Sequence, residues 1–254
     1  GLVGSEMCIR DSYILNMTIT RLSGPKRGMR VNIPWRDRKV VAQLIDPDRA
    51  SEETLVTAAG HAARAGSDLF LVGGSLTAVS VSSVIRRLKG LSDRPVILFP
   101  GDLTQLTEEA DAIFLLSLIS GRNPELLIGN HVIAAPHLKH VRDKVIPVGY
   151  MLVDCGSRTS VEYMSQTSPL PYDKHDIAVA TALAGEMLGM TAIYLEGGSG
   201  AVRPVDPSMI KAVRSELQIP LITGGGLDTP EKIEEAFVAG ADMVVTGNGC
   251  EQDP

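Results

Sequence analysis

Aromatic residues make up only 4% of this 254-residue chain, with one Trp, four Phe and five Tyr. A core of this size must therefore be built from Val, Ile, Leu and Ala, a mix that suits parallel strands buried on both faces. Basic residues are also in the minority. Lys and Arg number 24 against 30 Asp and Glu, for a net charge of -6, and no basic stripe is present, which argues against nucleic acid as a partner. The three cysteines, Cys8, Cys155 and Cys250, show neither CxxC nor metal-ligand spacing. An odd, scattered set fits reduced thiols in a cytoplasmic protein better than a disulfide frame. No apolar run approaches the ~18 residues of a membrane span.

What is present is an alternation. Residues 1–12 resemble neither a signal peptide nor a helix and read as a stretch foreign to the domain. Residues 13–38 read as an irregular lead-in, polar and basic from 21 on, with Trp35 packing locally. From Lys39 short apolar runs alternate with longer amphipathic ones. Strands are expected over 41–46, 68–73, 95–100, 112–117, 145–154, 191–196, 219–225 and 242–248. Helices are expected from the Ser51 cap to Gly66, then over 77–89, 123–140, 174–189, 207–217 and 229–240. The gap between the third and fourth strands holds only a minimal crossover. Residues 155–173 form the longest irregular connection, of the kind that often serves as a lid. Eight strands alternating with helices predict a single (β/α)₈ TIM barrel over 39–254; an open doubly wound sheet is the alternative layout. No helix follows the eighth strand before Pro254, which reads as C-terminal truncation.

The polar and glycine clusters all follow strands: Asp46-Pro47-Asp48, Gly73-Gly74-Ser75, Glu196-Gly197-Gly198-Ser199-Gly200, Gly224-Gly225-Gly226 and Gly247-Asn248. In a barrel these ends share one face, where active sites form. Glycine loops after the last three strands let backbone N–H groups approach a phosphate. Asp46 is either a turn aspartate or a ligand for a hard cation, and Ser75 either a helix cap or a second oxygen ligand; Asp48 reads as the turn or cap residue. Tyr194 and Glu196 lie two apart and share a face, which turns Ile193 and Leu195 toward the helices. A carboxylate at a barrel mouth is costly unless paired or in contact with water or ligand. The five histidines fall in helical stretches and read as surface or packing residues. Arg203 is open between phosphate contact and a solvated role, and Asp154 lies on the same rim without an evident task.

At these residues the chain resembles the geranylgeranylglyceryl phosphate synthase family. LIDPD (44–48), VGGS (72–75), YLEGGSG (194–200), TGGG (223–226) and VTGN (245–248) carry the resemblance, and YLEGGSG is its specific element. Where some members have Lys two residues before the metal aspartate, Leu44 stands here, as in the branch that includes bacterial proteins.

The resemblance implies a prenyltransferase joining the C3 hydroxyl of sn-glycerol 1-phosphate to a polyprenyl diphosphate, with Mg²⁺ as cofactor. Carried over by motif, Asp46 and Ser75 hold Mg²⁺. Tyr194, Leu195, Glu196, Gly197, Gly198, Ser199, Gly200, Gly225, Gly226, Gly247 and Asn248 bind glycerol phosphate, and Glu196 and Tyr194 act on the reacting atoms. It also implies a homo-oligomer. A membrane-soluble tail suggests peripheral membrane contact, and Phe99, Leu118 and Tyr150 are candidate walls for that tail. Two rival readings are a sugar-phosphate isomerase or aldolase on the same scaffold, disfavoured by the lack of a strand-end Lys, and a non-catalytic phospholigand-binding barrel.

Overall fold

A computed structural model describes residues 33–35 and 37–247. Eight parallel strands close into a barrel in sequence order: β1 (Val40–Ile45), β2 (Leu69–Val72), β3 (Val96–Leu98), β4 (Ala112–Leu118), β5 (Val145–Leu152), β6 (Ala192–Glu196), β7 (Leu221–Gly224) and β8 (Met243–Thr246), with β8 returning to β1. The open-sheet alternative is thereby excluded. Because every pairing is parallel, the C-terminal ends of all eight strands lie on one mouth.

Alternation along each strand divides the apolar residues between two environments. Val40, Ala42, Leu69, Leu71, Ile97, Phe114, Val148, Tyr150, Tyr194, Ile222 and Met243 fill the barrel. Their neighbours Phe70, Val72, Leu98 and Ile113 pack outward on one side, and Ile193, Leu195 and Val244 on the other. The helical layer supplies the matching surfaces. Helix α1 (Glu52–Ala65) starts at Ser51, whose side chain accepts from the Thr54 N–H, and ends at Gly66 with φ 88°. Helix α2 (Val81–Leu91) begins four residues later than the sequence pattern suggests. Asp48 explains the delay: its carboxylate accepts from the N–H groups of Ala78 and Val79 at 2.9 Å, which holds 77–80 as a loop.

The β3–β4 crossover holds a single 3₁₀ turn, Leu103–Gln105. The expected helix over 123–140 is a π turn, Glu125–Gly129, running into α3 (Asn130–Leu138), with Pro136 inside its last turn. The connection after β5 is less irregular than the sequence implies. It contains α4 (Ser160–Ser165), capped by Thr159, and Leu170 bridges back to Val153. Helices α5 (His175–Met187), α6 (Pro207–Glu216) and α7 (Pro230–Ala239) complete the layer; Asp206 and Thr229 cap the last two. Among the described residues no helix is long and apolar enough to cross a membrane. The residues after Gly247, and with them the expected loss of a final helix, lie outside the described residues.

The end opposite the mouth is built for stability. Asp68, Asp111 and Asp242 each stand just before a strand. Each accepts the backbone N–H of a neighbouring strand's residue (Val41, Val96 and Leu221) at 2.9–3.0 Å. Each also donates its own N–H to that residue's carbonyl at 2.8 Å. Arg38, Lys89 and Arg214 neutralise the three carboxylates. The lead-in also departs from expectation. Ile33 and Trp35 join the interior cluster, and the Trp35 ring stacks on Phe114 with centroids 6.4 Å apart, so this segment plugs the barrel floor.

Candidate active site at the barrel mouth

Glu196 ends β6 with its side chain in the interior and is only 6% exposed. The Gly198 N–H donates to its Oε1 at 2.6 Å, and the phenols of Tyr194 and Tyr150 also favour its charged form. Burial raises its pKa above the ordinary carboxylate range, against the pull of these three groups. Burial, reinforced by the Glu196 charge, holds both phenols neutral, well above their usual pKa. Below the carboxylate, Tyr150 and Tyr194 pair in register across β5 and β6. Phe99 closes the cluster, its centroid 6.1 Å from Tyr150 and 5.6 Å from Tyr194. Tyr194 and Glu196 share the interior face as the strand period requires, while the Leu195 side chain points to the helices, leaving only its backbone for a ligand.

The glycine loops press on each other in a way only glycine permits. Gly198 has φ 91°, and a Cβ there would collide with the Thr159 methyl. A Cβ on Gly225 (φ 85°) would stand 2.6 Å from Gly198 N, and one on Gly226 (φ 71°) 2.9 Å from the Arg203 backbone. The loops after β6 and β7 therefore form one backbone surface, seated on the cap of α4. Cys155 lies beneath it, free and buried, its thiol pushed up to about 12 by burial and then by the Glu196 charge. Ser199 and Gly200 project at the exposed edge. Gly247 leaves the end of β8 on the same rim, with open space where a side chain would begin. Asn248 lies outside the described residues.

Across the mouth, Asp46 follows β1. Its side chain is 40% exposed, Oδ1 accepts from the Asp48 N–H, and Oδ2 stands 3.7 Å from Arg49 Nε. It faces the β2 loop: a Cβ on Gly74, next to Ser75, would lie 3.6 Å from Asp46 Oδ1. The turn role left open for Asp46 is thus found, whereas Asp48, read as the turn or cap residue, acts at longer range. Asp46 caps the short turn after β1, while Asp48 anchors the loop before α2.

The side chains of the other sequence candidates have other partners. Arg203 is exposed and stacks its guanidinium 3.5 Å over the Tyr172 ring. Asp154 accepts from the Gly156 N–H. His131 bonds Ser117 and His175 bonds Asp206, both packing roles. His140 lies in the turn past α3 rather than within a helix. Sequence reading placed Tyr150 among tail-lining residues and missed that it pairs with Tyr194 beneath Glu196. The signal available was its position at the interior parity of β5, beside the strand that carries the acid.

The sequence model of the PcrB family matches residues 33–254. The chain belongs to the PcrB family. A relative from Spirosoma linguale named geranylgeranylglyceryl phosphate synthase is 53% identical over 85% of this chain and 88% of its own length. One of the same name from Thermococcus kodakarensis is 41% identical over 82% and 83%. Among solved structures, the (S)-3-O-geranylgeranylglyceryl phosphate synthase of Thermoplasma acidophilum, in complex with substrate sn-glycerol-1-phosphate, matches with a TM-score of 0.81. It is 35% identical and the match covers 87% of this chain and 89% of that one. An N-acetylmannosamine-6-phosphate 2-epimerase from Clostridium perfringens, 12% identical with a TM-score of 0.55, shares the fold alone. This PcrB-family protein is accordingly an enzyme of the prenyltransferase class.

Proposed function

We propose that this enzyme joins the C3 hydroxyl of sn-glycerol 1-phosphate to a polyprenyl diphosphate, geranylgeranyl diphosphate foremost, and releases diphosphate. The observation that carries the reading is the buried Glu196 carboxylate, bonded to the loop amide of Gly198, at a mouth whose last loops are glycine backbone. The solved relative in complex with sn-glycerol-1-phosphate supports that substrate.

Backbone amides of the Gly197–Gly200 and Gly225–Gly226 loops hold the phosphate and so fix the hydroxyl beside Glu196. As the prenyl carbon's bond to diphosphate breaks, the hydroxyl oxygen bonds to that carbon and its proton passes to Glu196. A carboxylate whose pKa burial has raised accepts that proton more readily than an exposed one. Positive charge developing on the allylic carbon is met by the Glu196 charge and the Tyr194 ring.

The residues at Asp46 suit Mg²⁺. One half-exposed carboxylate faces the Gly74–Ser75 loop, and Mg²⁺ takes one or two protein oxygens when phosphates supply the rest. Among the described residues no group of three acidic, His or Cys side chains forms a protein-only cage. Asp46 and the Ser75 hydroxyl would hold the ion, which when bound neutralises charge on the leaving diphosphate.

The test is incubation with sn-glycerol 1-phosphate, Mg²⁺ and prenyl diphosphates of several lengths, with prenyl ether detected by mass spectrometry. A prenyl ether of glycerol phosphate is expected; absence of one with every diphosphate defeats the reading.

A further inference from the structure

The loop from Gly197 to Asp206 carries the amides assigned to the phosphate, and its two ends are fixed. The Gly197 N–H donates to the Gly224 carbonyl at 2.9 Å. Asp206, which caps α6, bonds His175 at the start of α5 at 3.1 Å. Ties near the tip are longer: the Ser157 hydroxyl donates to the Gly200 carbonyl at 3.3 Å. Arg203 lies between tip and end. Its N–H donates to the Cys155 carbonyl at 3.3 Å, and a Cβ on Gly226 would stand 2.9 Å from its backbone. The loops after β5, β6 and β7 thus meet at this one residue. Its guanidinium extends to the β5 connection and lies over the Tyr172 ring, 3.5 Å from the centroid. Tyr172 is a firm platform, half-buried against the apolar cluster that includes Cys155, Leu170, Val205 and Met209.

We propose that Arg203 is a positioning residue: stacked on Tyr172, it clasps the β6 loop to the β5 connection and holds the amides of Gly198, Ser199 and Gly200 ready for glycerol phosphate. The proposal rests on the reading of those amides as the phosphate seat. Arg203 stands three positions after Gly200, so fixing it restricts the amides directly. A loop already in its binding conformation need not be ordered by the ligand. Without the clasp only a fraction of the loop is competent, and affinity falls by that fraction. A saturating ligand selects the competent fraction, so the rate at saturation is retained while the affinity is not.

The experiment compares the wild-type chain with Arg203→Ala, Tyr172→Leu and Tyr172→Phe, the last of which keeps the ring face. Arg203 is exposed, so its loss is expected to leave the melting temperature close to wild type. Hydrogen exchange of the peptide spanning 197–203, read by mass spectrometry without ligand, is expected to quicken in Arg203→Ala and Tyr172→Leu and to stay near wild type in Tyr172→Phe. Calorimetry with sn-glycerol 1-phosphate is expected to show Kd raised about three- to tenfold in the first two, the range that a cation–π contact carries, and little changed in the third. In steady state KM for sn-glycerol 1-phosphate should rise with Kd while kcat is retained. Unmoved exchange in both Arg203→Ala and Tyr172→Leu overturns the proposal, whether or not the wild type binds the ligand. Weakened binding in Arg203→Ala with Tyr172→Leu like wild type also overturns it, since the guanidinium would then touch the phosphate itself. Quickened exchange in the variants of a protein that binds no sn-glycerol 1-phosphate would instead defeat the glycerol phosphate reading and leave the clasp standing.

Discussion

The Gly198 N–H donates to Glu196 Oε1 at 2.6 Å, so the acid that ends β6 and the loop that follows it are fixed by one hydrogen bond. A shift of the loop moves the carboxylate, and a change in the carboxylate's charge alters the loop's anchor. Replacing Glu196 by Gln keeps an oxygen for that amide while removing the base. Turnover is expected to fall by about 10²–10⁴-fold, the usual range for a lost general base, with sn-glycerol 1-phosphate binding retained in calorimetry. Turnover within threefold of wild type would take Glu196 out of the chemistry.

The same burial makes a pH prediction. The base form of Glu196 is lost as pH falls through its pKa, which lies above the ordinary carboxylate range. The acid limb of kcat should therefore appear above that range. Linkage gives a companion effect on stability. A carboxyl with a raised folded-state pKa binds more protons folded than unfolded in the window between the two values, so stability falls as pH rises through it. At neutral pH, Glu196→Gln should melt above wild type, and the gain should vanish below the usual carboxylate range. A variant melting lower than wild type at neutral pH would refute the desolvation argument.

Much of this was legible because two periods and a few caps carry it. The period of two along β6 sent Tyr194 and Glu196 inward and Ile193 and Leu195 outward, as found. Ser51, Gly66, Pro207, Thr229 and Pro230 bounded helices correctly. What the pattern missed was long-range. Asp68 and Asp242 look like the polar first residues of strands, yet each pairs with a residue on another strand, 27 and 21 positions away. The late start of α2 is set by Asp48, 30 positions before the Ala78 amide that it holds. Tyr150 was visible as a core aromatic, but its pairing with Tyr194 depends on β5 lying beside β6. Trp35 reads as a loop residue until the barrel floor it fills exists.

Asp46 offers a test of the metal reading that separates it from its neighbour. Asp46→Asn keeps the turn's acceptor for the Asp48 N–H but removes the charge facing the β2 loop. It should raise the Mg²⁺ concentration needed for half-maximal rate by about tenfold or more, since Mg²⁺ held by so few protein oxygens depends on each. Asp48→Asn loosens residues 78–79 and should leave the Mg²⁺ requirement close to wild type. Chelation of Mg²⁺ should abolish turnover, with recovery on adding the ion back. Full activity in chelator would remove the metal from the reaction.

Gly198 and Thr159 give the last prediction, because they tie the α4 connection to the glycine loop. With φ at 91°, Gly198 sits where a side chain is strained, and an added Cβ would strike the Thr159 methyl. Gly198→Ala should cost about 1–3 kcal/mol of stability, the scale of such backbone strain, and should weaken sn-glycerol 1-phosphate binding by displacing the loop amides. Thr159→Ser removes that methyl and keeps the hydroxyl that accepts from the Glu162 N–H at 3.2 Å. In the double variant, the part of the loss due to collision should return and the part due to φ should remain. Thermal melts and calorimetry of the four proteins in the cycle measure both shares. Strict additivity would mean that the two residues are not in contact, and that α4 is not seated on the phosphate loop.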